Sequence, residues 1–291
     1  MEFIKAIILG FIQGLTEFLP ISSSGHLAIM KHILHMNLET GLLFDVLLHL
    51  GTLIAIFIAF WKDIKELIIE GIMIFYDLLI NIGRWIINKF SKNQLNYKQV
   101  VSTSYRRFVV MIIVSTIPTA VIGFLFQDGI ELAGEQLLVP GLSLILTSIL
   151  LTISDRINGG SKREDTAGFK DAGLIGIAQG IATLPGLSRS GTTITACLLC
   201  GFDRDFAVKY SFIMSIPAVL GAALLELKDI SMVRLDRSEI YGYLAGAIVA
   251  GFVGYLCIKT MLNIVRGKKS KYFAYYCFII GIIAVICHFV V

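Results

Sequence analysis

Four stretches of this chain, residues 108–126, 137–153, 240–265 and 272–291, are almost free of charge, and each approaches or exceeds the length of a bilayer crossing. About 20 apolar helical residues, advancing about 1.5 Å each, span an apolar layer about 30 Å thick. Two further runs have that length with interruptions: 42–60 holds Asp45 and His49, and 206–225 holds Lys209 and Pro217. One soluble core could not hide so much apolar surface. The chain is 56% hydrophobic and 16% charged, against about a quarter charged in soluble domains. The expected class is an all-α polytopic membrane protein, one integral domain over residues 1–291.

The connecting segments orient these spans. Residues 61–107 carry Lys62, Lys65, Arg84, Lys89, Lys92, Lys98, Arg106 and Arg107, and include an amphipathic stretch, 64–90, suited to lying along the surface. Residues 156–170 and 266–271 are also basic, whereas 127–136 holds Asp128, Glu131 and Glu135 with no Lys or Arg. Basic loops stay in the cytoplasm, which places the acidic one outside. The net charge of +4 is small and scattered between apolar runs, so no nucleic-acid partner is expected. The five cysteines all fall in apolar stretches and read as small packing residues. Gly242, Gly246, Ala250 and Gly254 form a stripe that lets a neighbouring helix come close. No cleavable leader is expected, since no small-x-small site follows the first apolar run.

Two apolar segments are too short to cross. Residues 4–19 end at Pro20 and a serine cluster, and 172–184 end at Pro185-Gly186 and another. Residues 156–170 and the start of 206–225 must share one side, so the segment between them enters and leaves there. This predicts a re-entrant hairpin at 172–201, a form tolerated only when buried in protein or lining a wet cavity. An offset of 166 maps Gly10, Gln13, Gly14, Ser22, Ser24 and Gly25 onto Gly176, Gln179, Gly180, Ser188, Ser190 and Gly191. A matching hairpin is therefore expected at 4–36. Three spans lie between the two, so the hairpins should enter from opposite sides with tips meeting near the midplane. That is an inverted-topology repeat, with one copy at about 1–126 and the other at about 137–291.

The tips carry the chemistry. One reads Glu17-Phe-Leu-Pro-Ile-Ser22-Ser23-Ser24-Gly25-His26, the other Pro185-Gly-Leu-Ser188-Arg189-Ser190-Gly191-Thr192. Ionisable groups at membrane depth are costly, and an intramembrane site is what they mark. Serine hydroxyls and amides at helix starts bind phosphate oxygens. Arginine adds a planar fork for a phosphoryl group. Histidine and glutamate serve proton transfer or metal binding, and serine or histidine can attack phosphorus. Ser22, Ser24, Gly25, Ser188, Ser190, Gly191 and Thr192 are the candidate phosphate binders, and Glu17, His26 and Arg189 the ionisable candidates for catalysis, with a serine or the histidine as nucleophile. Asp45 and His49, four apart on another helix, are expected to support the hairpin.

The strings QGLTEFLPISSSGHL and PGLSRSGTT, with FDVLLHLGTLIAIF after the first, resemble the signature motifs of the undecaprenyl-diphosphate phosphatase, or bacitracin-resistance, family. The resemblance covers essentially the whole chain. It implies a bacterial inner (plasma) membrane enzyme that converts undecaprenyl diphosphate to the monophosphate, recycling the carrier lipid for cell-wall synthesis, with a site opening outward. It also implies a divalent cation, Mg or Ca. The family's acidic motif falls on Gln13 and Glu17, so this chain has an amide where a carboxylate is common, and Gln13 and Glu17 are the implied metal ligands. The family's important serine, histidine and arginine fall on Ser23, His26 and Arg189, which with Glu17 are the implied catalytic groups, and either Ser23 or His26, three apart on one helical face, is the nucleophile. Ser24-Gly25-His26 is also similar to the type-2 phosphatidic acid phosphatases, but no Arg-Pro occurs anywhere and that family is rejected. The expected partners are a prenyl diphosphate lipid and the membrane, with a homodimer left open. A lipid flippase or transporter is the competing reading, because inverted repeats with broken helices are common in transporters.

Overall fold

The computed structural model describes residues 3–34, 38–91, 94–134, 136–229 and 237–290. Among the described residues there are twelve helices and no strand: α1 (Phe3–Phe18), α2 (Ser23–Ile33), α3 (Leu38–Ala59), α4 (Trp61–Phe90), α5 (Ser104–Leu125), α6 (Gln127–Gly134), α7 (Leu138–Arg156), α8 (Phe169–Ile181), α9 (Arg189–Leu199), α10 (Arg204–Asp229), α11 (Arg237–Arg266) and α12 (Lys271–Val290). Each of the six apolar runs expected to cross lies within or along one helix. By length and composition α5, α7, α10, α11 and α12 can each cross a membrane, and α3 meets that test together with α4, which leaves it at 90°. Their outer faces are apolar: Ile113, Ile117, Val121 and Phe124 form an exposed stripe on α5. A surface of that kind is stable against lipid and not against water.

The helix α4 turns away from α3 and is held by polar contacts. Arg106, buried at the start of α5, donates to Glu70 and Asp77 at 2.7 Å each. Lys98 reaches Asp77 at 2.8 Å, and Asn81 exchanges two hydrogen bonds with the Lys98 backbone. Further ties collect at the same end of the bundle. Lys209 and the Tyr105 hydroxyl both reach Asp63 at 2.9 Å, Arg107 donates to the Ala167 carbonyl, and Asp155 accepts from the amides of Ser270 and Lys271.

The second short apolar segment folds as a helical hairpin of α8 and α9. The chain entering α8 pairs with the chain leaving α9, through Lys162 N–H to Gly201 O at 3.1 Å and Asp203 N–H to Lys162 O at 2.9 Å. Both ends of that hairpin therefore lie together. Pro20 stops α1, since the residue before a proline is disfavoured in helix. The start of α2 precedes that of α9 by the same 166 residues (23 to 189).

Glycines seat each hairpin on a long helix. A Cβ on Gly10 would lie 2.2 Å from the Gly246 carbonyl of α11, and one on Gly14 2.6 Å from that of Ala250. At the matching positions, a Cβ on Gly176 would lie 2.2 Å from the Ser115 carbonyl of α5, and one on Gly180 2.7 Å from Ile122. Contacts that advance together along both chains mean that α1 runs parallel to α11, and α8 parallel to α5. The small-residue stripe of α11 is thus spent inside the chain, with Gly246 against Ala6 and Phe44 and Gly254 against Phe18.

Candidate active site

The two tips touch. Arg189 forms an ion pair with Glu17, and Gly191 packs against Pro20, where a Cβ would come within 3.2 Å. Glu17 ends α1 with only 7% of its surface exposed, and it gathers donors from three elements. Its Oε2 accepts from Ser23 Oγ at 2.8 Å and from Gln13 Nε2 at 3.1 Å, while Oε1 takes the Arg189 guanidinium. A buried carboxylate without such partners would be strongly disfavoured.

The backbone sets up this convergence. Ser22 has φ +69°, a left-handed conformation uncommon outside glycine. The chain reverses there, Ser23 opens α2, and its hydroxyl faces back to Glu17. His26 lies on the next turn. Its Nδ1–H donates to the Ser22 carbonyl at 2.7 Å, since a carbonyl can only accept, and its Nε2 then accepts from the Tyr276 hydroxyl at 2.5 Å. The Ser23 hydroxyl is thus bonded to Glu17, and His26 is bonded to the turn and to α12. The helical spacing that put His26 beside Ser23 placed it on the right helix, but the turn aims the two side chains at different partners.

A cavity of about 290 Å³ opens at the tips. One wall is polar, formed by Glu17, Ser22, Ser23, Ser24, Ser188 and Arg189, with His49 and Thr183. The other is apolar, formed by Val46 of α3, Leu184, Leu187 and the Ala218–Ala223 stretch of α10. Of the expected phosphate binders, Ser22, Ser24 and Ser188 line it. Ser190 lies deeper, at 3.3 Å from Ser188 Oγ. The Gly191 amide is used by the Ser188 hydroxyl, which caps α9 at 3.2 Å. The amides of Arg189 and Ser190 precede any helical acceptor and stay available. A Cβ on Gly25 would meet only Ser22 Oγ, at 3.9 Å, and Thr192 is buried with its hydroxyl unpartnered among the described residues.

His49 is the group the sequence undervalued. It lines the cavity with Nδ1 at 2.9 Å from Gln13 Nε2 and 3.7 Å from Glu17 Oε2. The available signal was an intramembrane histidine on the apolar run that follows the first tip. Among the described residues no three His, Cys, Asp or Glu side chains converge as a metal site. The oxygen donors present are nonetheless of the hard type that Mg²⁺ and Ca²⁺ take: the Glu17 carboxylate and the Gln13 amide, whose Oε1 is buried and unpartnered. Mg²⁺ commonly takes only one or two protein carboxylates and completes its shell with substrate phosphates and water. The pair therefore fits a cation that shares its ligands with a diphosphate.

Fold and site together define a polytopic membrane enzyme that handles a polar group at one end of an apolar molecule. A serine hydroxyl, a carboxylate and a guanidinium share the cavity with apolar side chains of α3 and α10. The chain belongs to the family described as bacitracin resistance protein BacA, whose model matches residues 6–283. It is 43% identical to a protein of Methanosphaera stadtmanae over 98% of both chains. It is 38% identical to one of Alkaliphilus metalliredigens and 40% identical to one of Halothermothrix orenii, again over 98% of both chains. All three relatives carry the name undecaprenyl-diphosphatase.

Proposed function

We propose that this chain hydrolyses undecaprenyl diphosphate to undecaprenyl phosphate and inorganic phosphate, the reaction that returns the carrier lipid to cell-wall synthesis and underlies bacitracin resistance. The observation that carries the reading is the Ser23–Glu17–Arg189 set at the polar wall of a half-apolar cavity. A flippase needs only binding groups. A hydroxyl held 2.8 Å from a buried carboxylate is a nucleophile with its base, which favours hydrolysis.

The diphosphate lies against Ser22, Ser24, Ser188 and the amides of Arg189 and Ser190, and the prenyl chain lies along Val46 and Ala218–Ala223. Arg189 turns part of its fork from Glu17 to the terminal phosphoryl group, where charge stabilisation does most of the work of phosphoryl transfer. Ser23 Oγ attacks the terminal phosphorus as its proton passes to Glu17. The bond to the bridging oxygen breaks, and the lipid monophosphate leaves with that electron pair. Water then attacks the phosphoserine phosphorus, the bond to Ser23 Oγ breaks as Glu17 returns its proton to that oxygen, and phosphate departs as dihydrogen phosphate with both of the water's protons. His26 holds the Ser22 turn and so positions Ser23. A divalent cation, held by Glu17 and Gln13, supplies charge neutralisation to the diphosphate when bound.

The reading includes a bacterial plasma membrane setting, an inverted repeat and a cavity open to the outer face. Parallel packing of α1 on α11 and of α8 on α5 supports the inversion. The cavity wall at Ala218–Ala223 stands about 20 Å or more along α10 from the charged end that begins at Arg204. With that end in the cytoplasm, the cavity lies toward the outside. A cysteine placed at residue 131 should be labelled from outside intact cells, and one at Arg163 should not; the reverse pattern refutes the orientation. Phosphate release from undecaprenyl diphosphate by the purified chain, with and without divalent cation, tests the activity, and no release under either condition overturns it.

A further inference from the structure

The Gln13 amide stands between two lone pairs. Its Nε2 donates to Glu17 Oε2 at 3.1 Å and to His49 Nδ1 at 2.9 Å, and those two acceptors are 3.7 Å apart. Its other end, Oε1, is buried and bonded to nothing among the described residues. Rotating the amide by half a turn puts a carbonyl oxygen where the nitrogen now stands and sacrifices no partner of Oε1. Three lone pairs, from Glu17, Gln13 and His49, then face one another.

Their spacing matches a coordination face. Atoms 2.9, 3.1 and 3.7 Å apart leave a point about 2.1 Å from all three, about 0.9 Å off their plane, and about 2.1 Å is the usual bond length from a small divalent ion to oxygen or imidazole nitrogen. His49 Nδ1 stands 2.9 Å from the Gln13 amide group, and a lone pair on that ring nitrogen is what a metal takes.

We infer that the cation of this site is held by a three-donor face of Glu17, Gln13 and His49, and that the imidazole shifts its preference from Mg²⁺ and Ca²⁺ toward Mn²⁺ and its heavier first-row neighbours. One negative charge and one nitrogen bind hard alkaline-earth ions weakly, whereas imidazole favours later divalent ions. The cation's use in catalysis rests on the phosphatase reading; its binding does not.

The test is Mn²⁺ binding to the detergent-solubilised full chain without substrate, read by titration and by pulsed electron paramagnetic resonance. Wild type should bind Mn²⁺ about tenfold or more tighter than Mg²⁺, with a directly coordinated nitrogen in the spectrum. His49→Gln should lose that nitrogen signal and weaken Mn²⁺ about tenfold or more. Gln13→Glu should keep the nitrogen and tighten Mg²⁺, because it adds a carboxylate. Bound Mn²⁺ without nitrogen coupling, a nitrogen signal that survives His49→Gln, or no Mn²⁺ binding by wild type would each overturn the proposal. Phosphate release measured on the same preparations separates these outcomes from failure of the phosphatase reading.

Discussion

The two hairpin tips share a register and divide the chemistry unequally. At positions 166 residues apart, Gln13 faces Gln179, Glu17 faces Thr183, Ser23 faces Arg189, His26 faces Thr192 and His49 faces Ser215. The scaffold is kept: both glutamines are buried with an unpartnered Oε1, and a serine pair sits at 3.3 Å in each tip, Ser22 with Ser24 and Ser188 with Ser190. The reactive groups are not kept. The first tip holds the carboxylate and the hydroxyl bonded to it, and the second contributes one cation to that same carboxylate. Even the reversals differ, with left-handed backbone at Ser22 in one tip and at Gly186 in the other. Two similar polar cradles with unequal reactive groups make one composite site.

The largest effect should come from Ser23→Ala. Loss of a nucleophile costs up to about a millionfold in kcat, and turnover should fall below detection while thermal stability stays near wild type. Substantial residual phosphate release would move the nucleophile elsewhere and dissolve the contrast between the tips. Next is the second tip's one charge. Arg189→Ala should lower kcat/KM by about 10²–10³, the scale of one lost electrostatic contact in a reaction centre. Arg189→Lys should not restore it, because an ammonium lacks the planar fork. If specific activity survives and only protein yield drops, Arg189 is a strut.

The shared scaffold should respond alike on both sides. Gly10→Ala and Gly176→Ala each push a methyl to 2.2 Å from a facing carbonyl. Each should cost about 1–3 kcal/mol, the range for overpacking, visible as a lower detergent-denaturation midpoint. A large loss in one and none in the other would break the equivalence of α1 on α11 with α8 on α5. The smallest effect belongs to Thr192, the counterpart of His26, whose hydroxyl is buried without a partner. Thr192→Val should leave turnover unchanged and raise stability by about 1 kcal/mol, since it removes an unpaired polar group. A clear loss of turnover would show that the Thr192 hydroxyl meets the substrate.

Much of this architecture was legible because bilayer thickness fixes helix length. Apolar runs near 20 residues located six long helices, and Pro20 and Pro185 marked the breaks. Sequence spacing also put Glu17, Ser23 and Arg189 at the tips. It could not give the partners, because spacing along a helix constrains only neighbours one turn away. The Gln13–His49 bond joins residues 36 apart, and the Glu17–Arg189 pair joins residues 172 apart. Nothing in a serine announces a positive φ, so the turn at Ser22 that separates the Ser23 and His26 partners had no sequence signal.

The cavity's divided walls bear on how the reaction ends. Its two products differ in the medium that dissolves them. Inorganic phosphate, released beside the serines and Arg189, has only a watery way out. In the proposed reaction the lipid monophosphate, with its tail along Val46 and Ala218–Ala223, leaves sideways into the leaflet. Departure along two routes means that neither product blocks the other, so accumulated phosphate should inhibit turnover far less than accumulated lipid monophosphate.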